Sequence, residues 1–138
     1  MFRSILMIGV ATLFCSAANA EMIPFTAALN GAAEVPAKTT DGKGTATVTL
    51  DTAAKTLTYT VEYSGLSGAA TAAHLHGPAA PGANAGVVVP FSAAATPIKG
   101  TATLTDAQIA DLEAGKWYAN VHTAANPAGE IRGQLVRK

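Results

Sequence analysis

The sequence predicts an all-β protein: an antiparallel, Greek-key-like β-sandwich with one short helix near residues 106–114. Three observations predict this fold class. Most segments alternate apolar and polar residues with a period of two, which is typical of strands buried on one face. Clusters of Gly, Pro, Asn and Asp separate these segments. These segments amount to roughly eight short strands and one helix, and a domain with that many short strands favours a sandwich.

The clearest strand lies in segment 55–65, KTLTYTVEYSG. Leu57, Tyr59, Val61 and Tyr63 point to one face of this strand, and threonines and a glutamate point to the other, because successive side chains of a strand alternate. The same pattern predicts further strands, which are FTAALNG, TATVTLD, AAHLHG, AGVVVPF, GTATLT, KWYANVHT and GEIRGQLVRK. The Pro/Gly/Ala-rich segment 77–86 between two of them is expected to be a surface loop.

One helix is predicted in the segment DAQIADLEAGK. Thr105 precedes it as an N-cap, and Gln108, three residues later, completes a capping box. Ile109 and Leu112 are three residues apart and therefore share a face. Gly115 is a suitable C-terminal stop.

Residues 1–20 are predicted to be a secretory signal peptide, and residues 21–138 a single domain. Arg3 is followed by an apolar run from Ile5 to Cys15 and by the small residues 18–20, which is the pattern of a cleaved signal. The apolar run is shorter than the roughly 20 residues that a membrane-spanning helix needs. We therefore expect an exported protein, periplasmic or extracellular, that is not held in a membrane after cleavage.

Composition excludes several classes of function for this chain. It has 9 Lys and Arg and 9 Asp and Glu, and loss of Arg3 with the signal leaves one excess acidic group. Nucleic acids and anionic membranes are bound by clustered Lys and Arg, which the sequence lacks, so we expect neither partner. Loss of Cys15, the single cysteine, also excludes a disulfide. Ser64, Ser67 and Ser92 stand in no nucleophile motif.

The three histidines of the chain carry its strongest functional signal. His74 and His76 flank Leu75, so on a strand their side chains share a face, roughly 6.5–7 Å apart at their bases. His122 follows Asn120 on the same face of a later strand. Two imidazoles at that spacing can bind one metal ion, and a third from an adjacent strand can join them. Ligation by imidazole without thiolate favours copper or zinc over calcium or magnesium. The alternative is that the histidines are ordinary surface or core residues.

Polar residues near the histidines admit two interpretations. Glu130, Arg132 and Gln134 share one strand face, which is expected either to be solvated, with a Glu–Arg pair worth at most about 1 kcal/mol, or to belong to the site. In the second interpretation Glu130 or Glu34 orients an imidazole from outside the ligand set, and Asn120 orients a ligand or a bound water.

Three blocks of the sequence resemble the CHRD domain, a family named for its occurrence in chordin. They are LNGAAEVP, YSGLSGAATAAHLHGPAAPGANAGVVV and GKWYANVHTAANPAGEIRGQL, in this order between Phe25 and Leu135. The resemblance implies a β-sandwich found in secreted bacterial and chordin-type extracellular proteins, many of them without an assigned activity. The family's paired histidines correspond to His74 and His76, and the histidine of its Asn-x-His-Thr block to His122. Its members look like copper-binding sandwiches, so copper is the preferred metal and zinc the alternative.

The histidine pattern is also similar, more loosely, to that of copper-zinc superoxide dismutases. Those enzymes combine a β-sandwich, a His-x-His on a strand, a remote histidine and a nearby arginine. In this chain Arg132 is the candidate for that arginine, and it would attract a small anion such as superoxide towards the metal. Three functions therefore remain open from the sequence. They are metal binding without catalysis, copper-dependent superoxide dismutation, and an extracellular interaction module without a metal, whose protein partner is unknown.

Overall fold

A computed structural model describes residues 19–138 of the chain. The predicted signal peptide, residues 1–20, lies outside the described residues except for its last two positions. Within the described range the strands are β1 (Met22–Asn30), β2 (Lys43–Asp51), β3 (Thr56–Ser64), β4 (Ala70–His76), β5 (Val87–Pro90), β6 (Ile98–Thr103), β7 (Tyr118–Thr123), β8 (Ile131–Gln134) and β9 (Val136–Arg137). A 3-10 turn (Gly31–Ala33) follows β1, and one α-helix, α1 (Asp106–Glu113), precedes β7.

The strands form one continuous sheet, in the order β5-β4-β7-β8-β1-β2-β3-β6, with β9 beside β1. Every strand pair in it is antiparallel. The predicted all-β fold with a single short helix is therefore confirmed. The two layers expected of a sandwich are two halves of this sheet, which curls so that both halves pack on one hydrophobic core. The connections β3–β4 and β5–β6 join strands from opposite ends of the order.

The core follows the predicted alternation most closely in the half formed by β1, β2, β3 and β6. Leu57 and Val61 of β3 are fully buried, and Tyr59 between them is 4% exposed. The threonines that alternate with them lie on the other face. The opposite half contributes Leu75 and Trp117, both also fully buried. Burial of one such side chain stabilises the fold by roughly 1.5–3 kcal/mol, so the curled sheet is held mainly by this shared apolar face.

Helix α1 begins and ends where the sequence predicts. Thr105 Oγ1 accepts a hydrogen bond from the Gln108 backbone N–H at 3.2 Å, and the Gln108 side chain accepts one from the Thr105 N–H at 2.9 Å. Gly115 takes a left-handed conformation with φ of +72° just after the helix, which ends it. Leu112 packs into the core. Along residues 19–138, no helix has the length and apolar character needed to cross a membrane.

The half of the sheet formed by β4, β7 and β8 departs from simple alternation. All six residues of β7 are buried, although every second one points away from the core. Three segments cover this outer face: residues 31–36 after β1, loop 77–86 between β4 and β5, and loop 124–130 between β7 and β8. Polar side chains on the outer face are therefore enclosed between the sheet and these segments.

Candidate metal centre

The three histidines meet on the enclosed outer face of β4 and β7. These strands are antiparallel neighbours, and their register sets His74 opposite Asn120 and Ala72 opposite His122. His122 is thus the diagonal neighbour of His74, while His76 lies two residues further along β4 on the same face. One ring nitrogen of each histidine lies within 4.8 Å of those of the other two. The structure therefore brings together the three residues that the sequence singled out.

The distances within this cluster suit a single metal ion. His74 Nδ1 lies 3.1 Å from His122 Nε2. The ring centroids of His76 lie 5.4 Å from His74 and 6.1 Å from His122. Tetrahedral bonds of about 2.0–2.1 Å place two nitrogen ligands roughly 3.3 Å apart. The first pair already has this spacing, and the third nitrogen, within 4.8 Å of the other two, would have to move inward by up to about 1.5 Å.

Backbone carbonyls determine which nitrogens face the centre. His76 Nδ1 lies 3.0 Å from the Ala85 carbonyl oxygen, and His122 Nδ1 lies 3.0 Å from that of Pro127. A carbonyl oxygen only accepts, so each Nδ1 carries a hydrogen, and in the neutral ring Nε2 keeps a lone pair. His76 Nε2 is buried and has no hydrogen-bond partner among the described residues. A buried nitrogen without a hydrogen-bond partner destabilises the fold by about 1–3 kcal/mol. A metal ion bound to this nitrogen would remove that cost.

The remaining proton lies between His74 and His122. Since His122 Nε2 carries no hydrogen, the 3.1 Å contact requires His74 Nδ1 to donate. His74 Nδ1 can bind a metal ion only after this hydrogen moves to His74 Nε2, a change of tautomer that keeps the imidazole neutral.

Burial favours the neutral forms of His74 and His76. Burial lowers the pKa of His74, and the charges of His122 and His76 lower it further. Burial also lowers the pKa of His76, and the charges of His122 and Arg132 act in the same direction, whereas the hydrogen bond that His76 donates to the Ala85 carbonyl raises it. Neutral imidazole is the form that binds a metal ion, so both residues are competent ligands at neutral pH.

Asn120 and Glu34 form a buried pair beside the histidines. The Asn120 amide donates to the Glu34 carboxyl and, at 3.0 Å, to the Ile131 carbonyl oxygen. Burial raises the pKa of Glu34 to about 7, although the Asn120 hydrogen bond and the charge of Arg132 both oppose the rise. Gly129 makes room for the pair: a Cβ there would lie 2.5 Å from Asn120 Nδ2 and 2.6 Å from Glu34 Oε1. Neither residue donates to or accepts from an imidazole.

Glu130 is a buried hydrogen-bonding centre rather than a solvated surface residue. Its fully buried carboxylate accepts from Thr40 Oγ1 at 2.6 Å, from the Ser67 backbone and hydroxyl at 2.8 and 2.5 Å, from Thr123 Oγ1 at 2.6 Å and from Asn126 Nδ2 at 3.2 Å. Burial by itself raises its pKa, but the hydrogen bonds from Ser67, Thr123 and Thr40 prevail and lower the pKa to about 2. Glu130 joins three loops and makes no hydrogen bond to an imidazole.

Arg132 is also buried, with 2% of its surface exposed. Its guanidinium carbon lies 3.4 Å from the centre of the Tyr118 ring, and its nitrogens donate to Asn84 Oδ1, at 2.9 Å, and to the Ala83 carbonyl. Among residues 19–138 no carboxylate oxygen lies within 4.0 Å of it. The interpretation of Glu130 and Arg132 as a solvated ion pair is therefore wrong, because loops from distant parts of the chain cover both side chains.

A cavity of about 200 Å³ opens next to His76. Arg132, Glu34 and Asn120 line it together with His76 and Tyr118.

The sequence analysis missed Tyr118 and the carbonyls of loops 77–86 and 124–130 as parts of the site. Backbone carbonyls have no sequence signature, whereas the position of Tyr118, on the strand face of Asn120 and His122, was a usable signal.

Comparison with known protein families agrees with the sequence blocks and with the fold. The CHRD domain matches residues 25–135, which include strands β2 to β8, most of β1 and all three histidines. No curated protein and no solved structure matches the chain. Because the match covers most of its length, the chain belongs to the CHRD domain family.

Proposed function

We propose that this protein binds one metal ion, copper in preference to zinc, through His74, His76 and His122. The observation that carries the proposal is the meeting of three ring nitrogens within 4.8 Å of one another. The two Nε2 lone pairs set by backbone carbonyls support it, as does the unpartnered, buried His76 Nε2. A histidine that serves only to pack would have its nitrogens hydrogen-bonded or in water.

The donor set supports copper or zinc as the metal. Three imidazoles and no thiolate suit these ions, whereas calcium and magnesium prefer oxygen ligands. For nitrogen donors of this kind, copper(II) binds more tightly than zinc in the usual order of divalent metals. Three protein ligands leave a fourth position free, as in catalytic rather than structural sites.

Elemental analysis of the purified protein tests the proposal. After incubation with copper or zinc and removal of excess metal, the wild type should retain about one ion per chain, and His74→Ala and His76→Ala should retain far less. Glu62→Gln, on the exposed side of β3, is the matched control and should bind as the wild type does. A wild type that retains no metal with Cu(I), Cu(II) or Zn(II) would rule out the site.

Superoxide dismutation by the bound copper is the second candidate function. The supporting observation is that the buried charge of Arg132, which has no carboxylate oxygen within 4.0 Å among residues 19–138, lines the same cavity as His76. Such a charge attracts a small anion towards the site. Copper-loaded protein should then remove superoxide catalytically, and Arg132→Gln, compared at equal copper content per chain, should lower the rate at low ionic strength. Stoichiometric copper without turnover would leave metal binding as the function.

We further propose that the protein acts outside the cytoplasm, with residues 1–20 removed. The charged start, apolar run and small residues of this segment support the proposal, as does the occurrence of the family in secreted proteins. Mass spectrometry of the protein recovered after export should find Glu21 as its first residue. An intact Met1 on exported protein would contradict cleavage.

A further inference from the structure

Loop 77–86 is fastened to the outer face of the sheet along most of its length. Gln134 Nε2 donates to the Ala79 carbonyl at 2.9 Å near the start of the loop. Arg132 donates to the Ala83 carbonyl and to Asn84 Oδ1 near its end. The Asn84 amide in turn donates to the Val35 carbonyl at 3.2 Å. The loop is rich in Gly, Pro and Ala, so these side chains of the sheet, rather than its own packing, determine its position.

Tyr118 holds Ala85, the residue of this loop whose carbonyl oxygen lies 3.0 Å from His76 Nδ1. Its hydroxyl accepts from the Ala85 N–H at 3.1 Å and donates to the Ala85 carbonyl oxygen at 3.2 Å. The same carbonyl oxygen accepts from His76 Nδ1 at 3.0 Å. Tyr118 and His76 are also cross-strand partners, with rings 4.9 Å apart and parallel to within 1°. One tyrosine therefore contacts both the imidazole and the carbonyl that orients it.

Arg132 supports this arrangement from the neighbouring strand. Its guanidinium carbon lies 3.4 Å from the centre of the Tyr118 ring, a close contact between a cation and an aromatic face. It also holds Ala83 and Asn84, the two residues that precede Ala85. The ring of Tyr118 and the backbone before Ala85 are thus held by one buried side chain.

We propose that Tyr118, supported by Arg132, is a positioning residue that fixes the tautomer and orientation of His76 through the Ala85 carbonyl. Which nitrogen of a histidine carries the hydrogen is set by the hydrogen bond that the other nitrogen makes. When the Ala85 carbonyl is held in place, the hydrogen stays on Nδ1 and the Nε2 lone pair faces the other two imidazoles. This inference deepens the proposed metal site by naming what prepares it, and it rests on that function only for its effect on affinity.

Tyr118→Phe tests the inference, because it removes the hydroxyl and keeps the ring beside His76 and Arg132. Tyr63→Phe is the matched control: Tyr63 donates to a loop carbonyl, that of Ala94, at 2.7 Å on β3, outside the metal site. In nitrogen-15 NMR of the protein without metal, His76 should be in the Nδ1–H form in the wild type and in Tyr63→Phe. In Tyr118→Phe it should become a mixture of tautomers.

Metal affinity provides the second measurement. Loss of a residue that orients a ligand typically lowers affinity 10–100-fold. We therefore expect copper or zinc to bind about 10-fold or more weakly to Tyr118→Phe in competition with a chelator, and unchanged to Tyr63→Phe. Thermal unfolding of both variants controls for a general loss of stability.

The two measurements separate failure of this inference from failure of the proposed function. An unchanged His76 tautomer in Tyr118→Phe overturns the positioning role, whatever the metal affinity. A wild type that binds no metal overturns the proposed function, while the NMR comparison still decides the role of Tyr118. A tautomer shift together with weaker metal binding supports both.

Discussion

Replacement of Glu130 by glutamine should destabilise the fold by about 3 kcal/mol at pH 7. The carboxylate is fully buried and accepts from Thr40, Ser67, Thr123 and Asn126, donors that come from three loops and from the end of β7. Glutamine has nearly the same shape but no charge. Its NH₂ group replaces one of the two accepting oxygens and so meets donors with which it cannot form hydrogen bonds. The substitution therefore weakens the whole set of hydrogen bonds without opening a cavity.

The magnitude follows from the pKa of Glu130. Burial opposes its ionisation, but the surrounding hydrogen bonds lower the pKa from 4.5 to about 2. Each unit of pKa corresponds to 1.36 kcal/mol, so the ionised form stabilises the folded state by about 3 kcal/mol. Because the folded pKa is the lower one, this stability is present above pH 4.5 and is lost as the pH falls towards 2. At pH 3 roughly 1–1.5 kcal/mol of it should remain.

Urea unfolding at pH 7 and pH 3, followed by the fluorescence of Trp117, measures the effect. Trp117 is fully buried and is the single tryptophan of the chain. Glu62→Gln, on the exposed side of β3, is the control and should change stability by less than about 0.5 kcal/mol. A loss below about 1 kcal/mol for Glu130→Gln at pH 7, or an equal loss at both pH values, would refute the reasoning.

Three further predictions concern the site. Burial raises the pKa of Glu34 to about 7, against 4.5 in the unfolded chain. The free energy of unfolding should therefore decrease by up to about 3 kcal/mol as the pH rises from 4.5 to 7, and this decrease should be absent in Glu34→Gln when unfolding is measured across that range. Parallel pH curves for both proteins would contradict it. Gly129→Ala should destabilise the protein by about 1–3 kcal/mol, because a Cβ meets the Asn120–Glu34 pair and φ is +127°; an unchanged melting temperature would count against that. Excess zinc at 100 times its dissociation constant should stabilise the wild type by about 2.7 kcal/mol, and His122→Ala should lose this gain in calorimetry.

Much of the fold follows from local sequence patterns. The alternation in β1, β2 and β3, the capping box of Thr105 and Gln108 and the stop at Gly115 involve residues within a few positions of each other. Backbone geometry alone therefore determines which side chains share a face. The placement of His74 and His76 on one face of β4 is of the same kind. The third ligand was predictable only as a candidate, because nothing local says which strand lies beside β4.

The sequence by itself determined an antiparallel β-protein with one capped helix, and three histidines of which two share a strand face. The tertiary structure decided that β7 pairs with β4 and so brings His122 to the other two. It also decided that distant loops bury Glu130 and Arg132, as in the contact between Glu130 and Thr40, 90 residues apart. Finally, it assigned the orientation of His76 and His122 to the carbonyls of Ala85 and Pro127. The physical reason is range: periodicity and capping act over a few residues, whereas burial and hydrogen bonding depend on which segments the folded chain brings into contact.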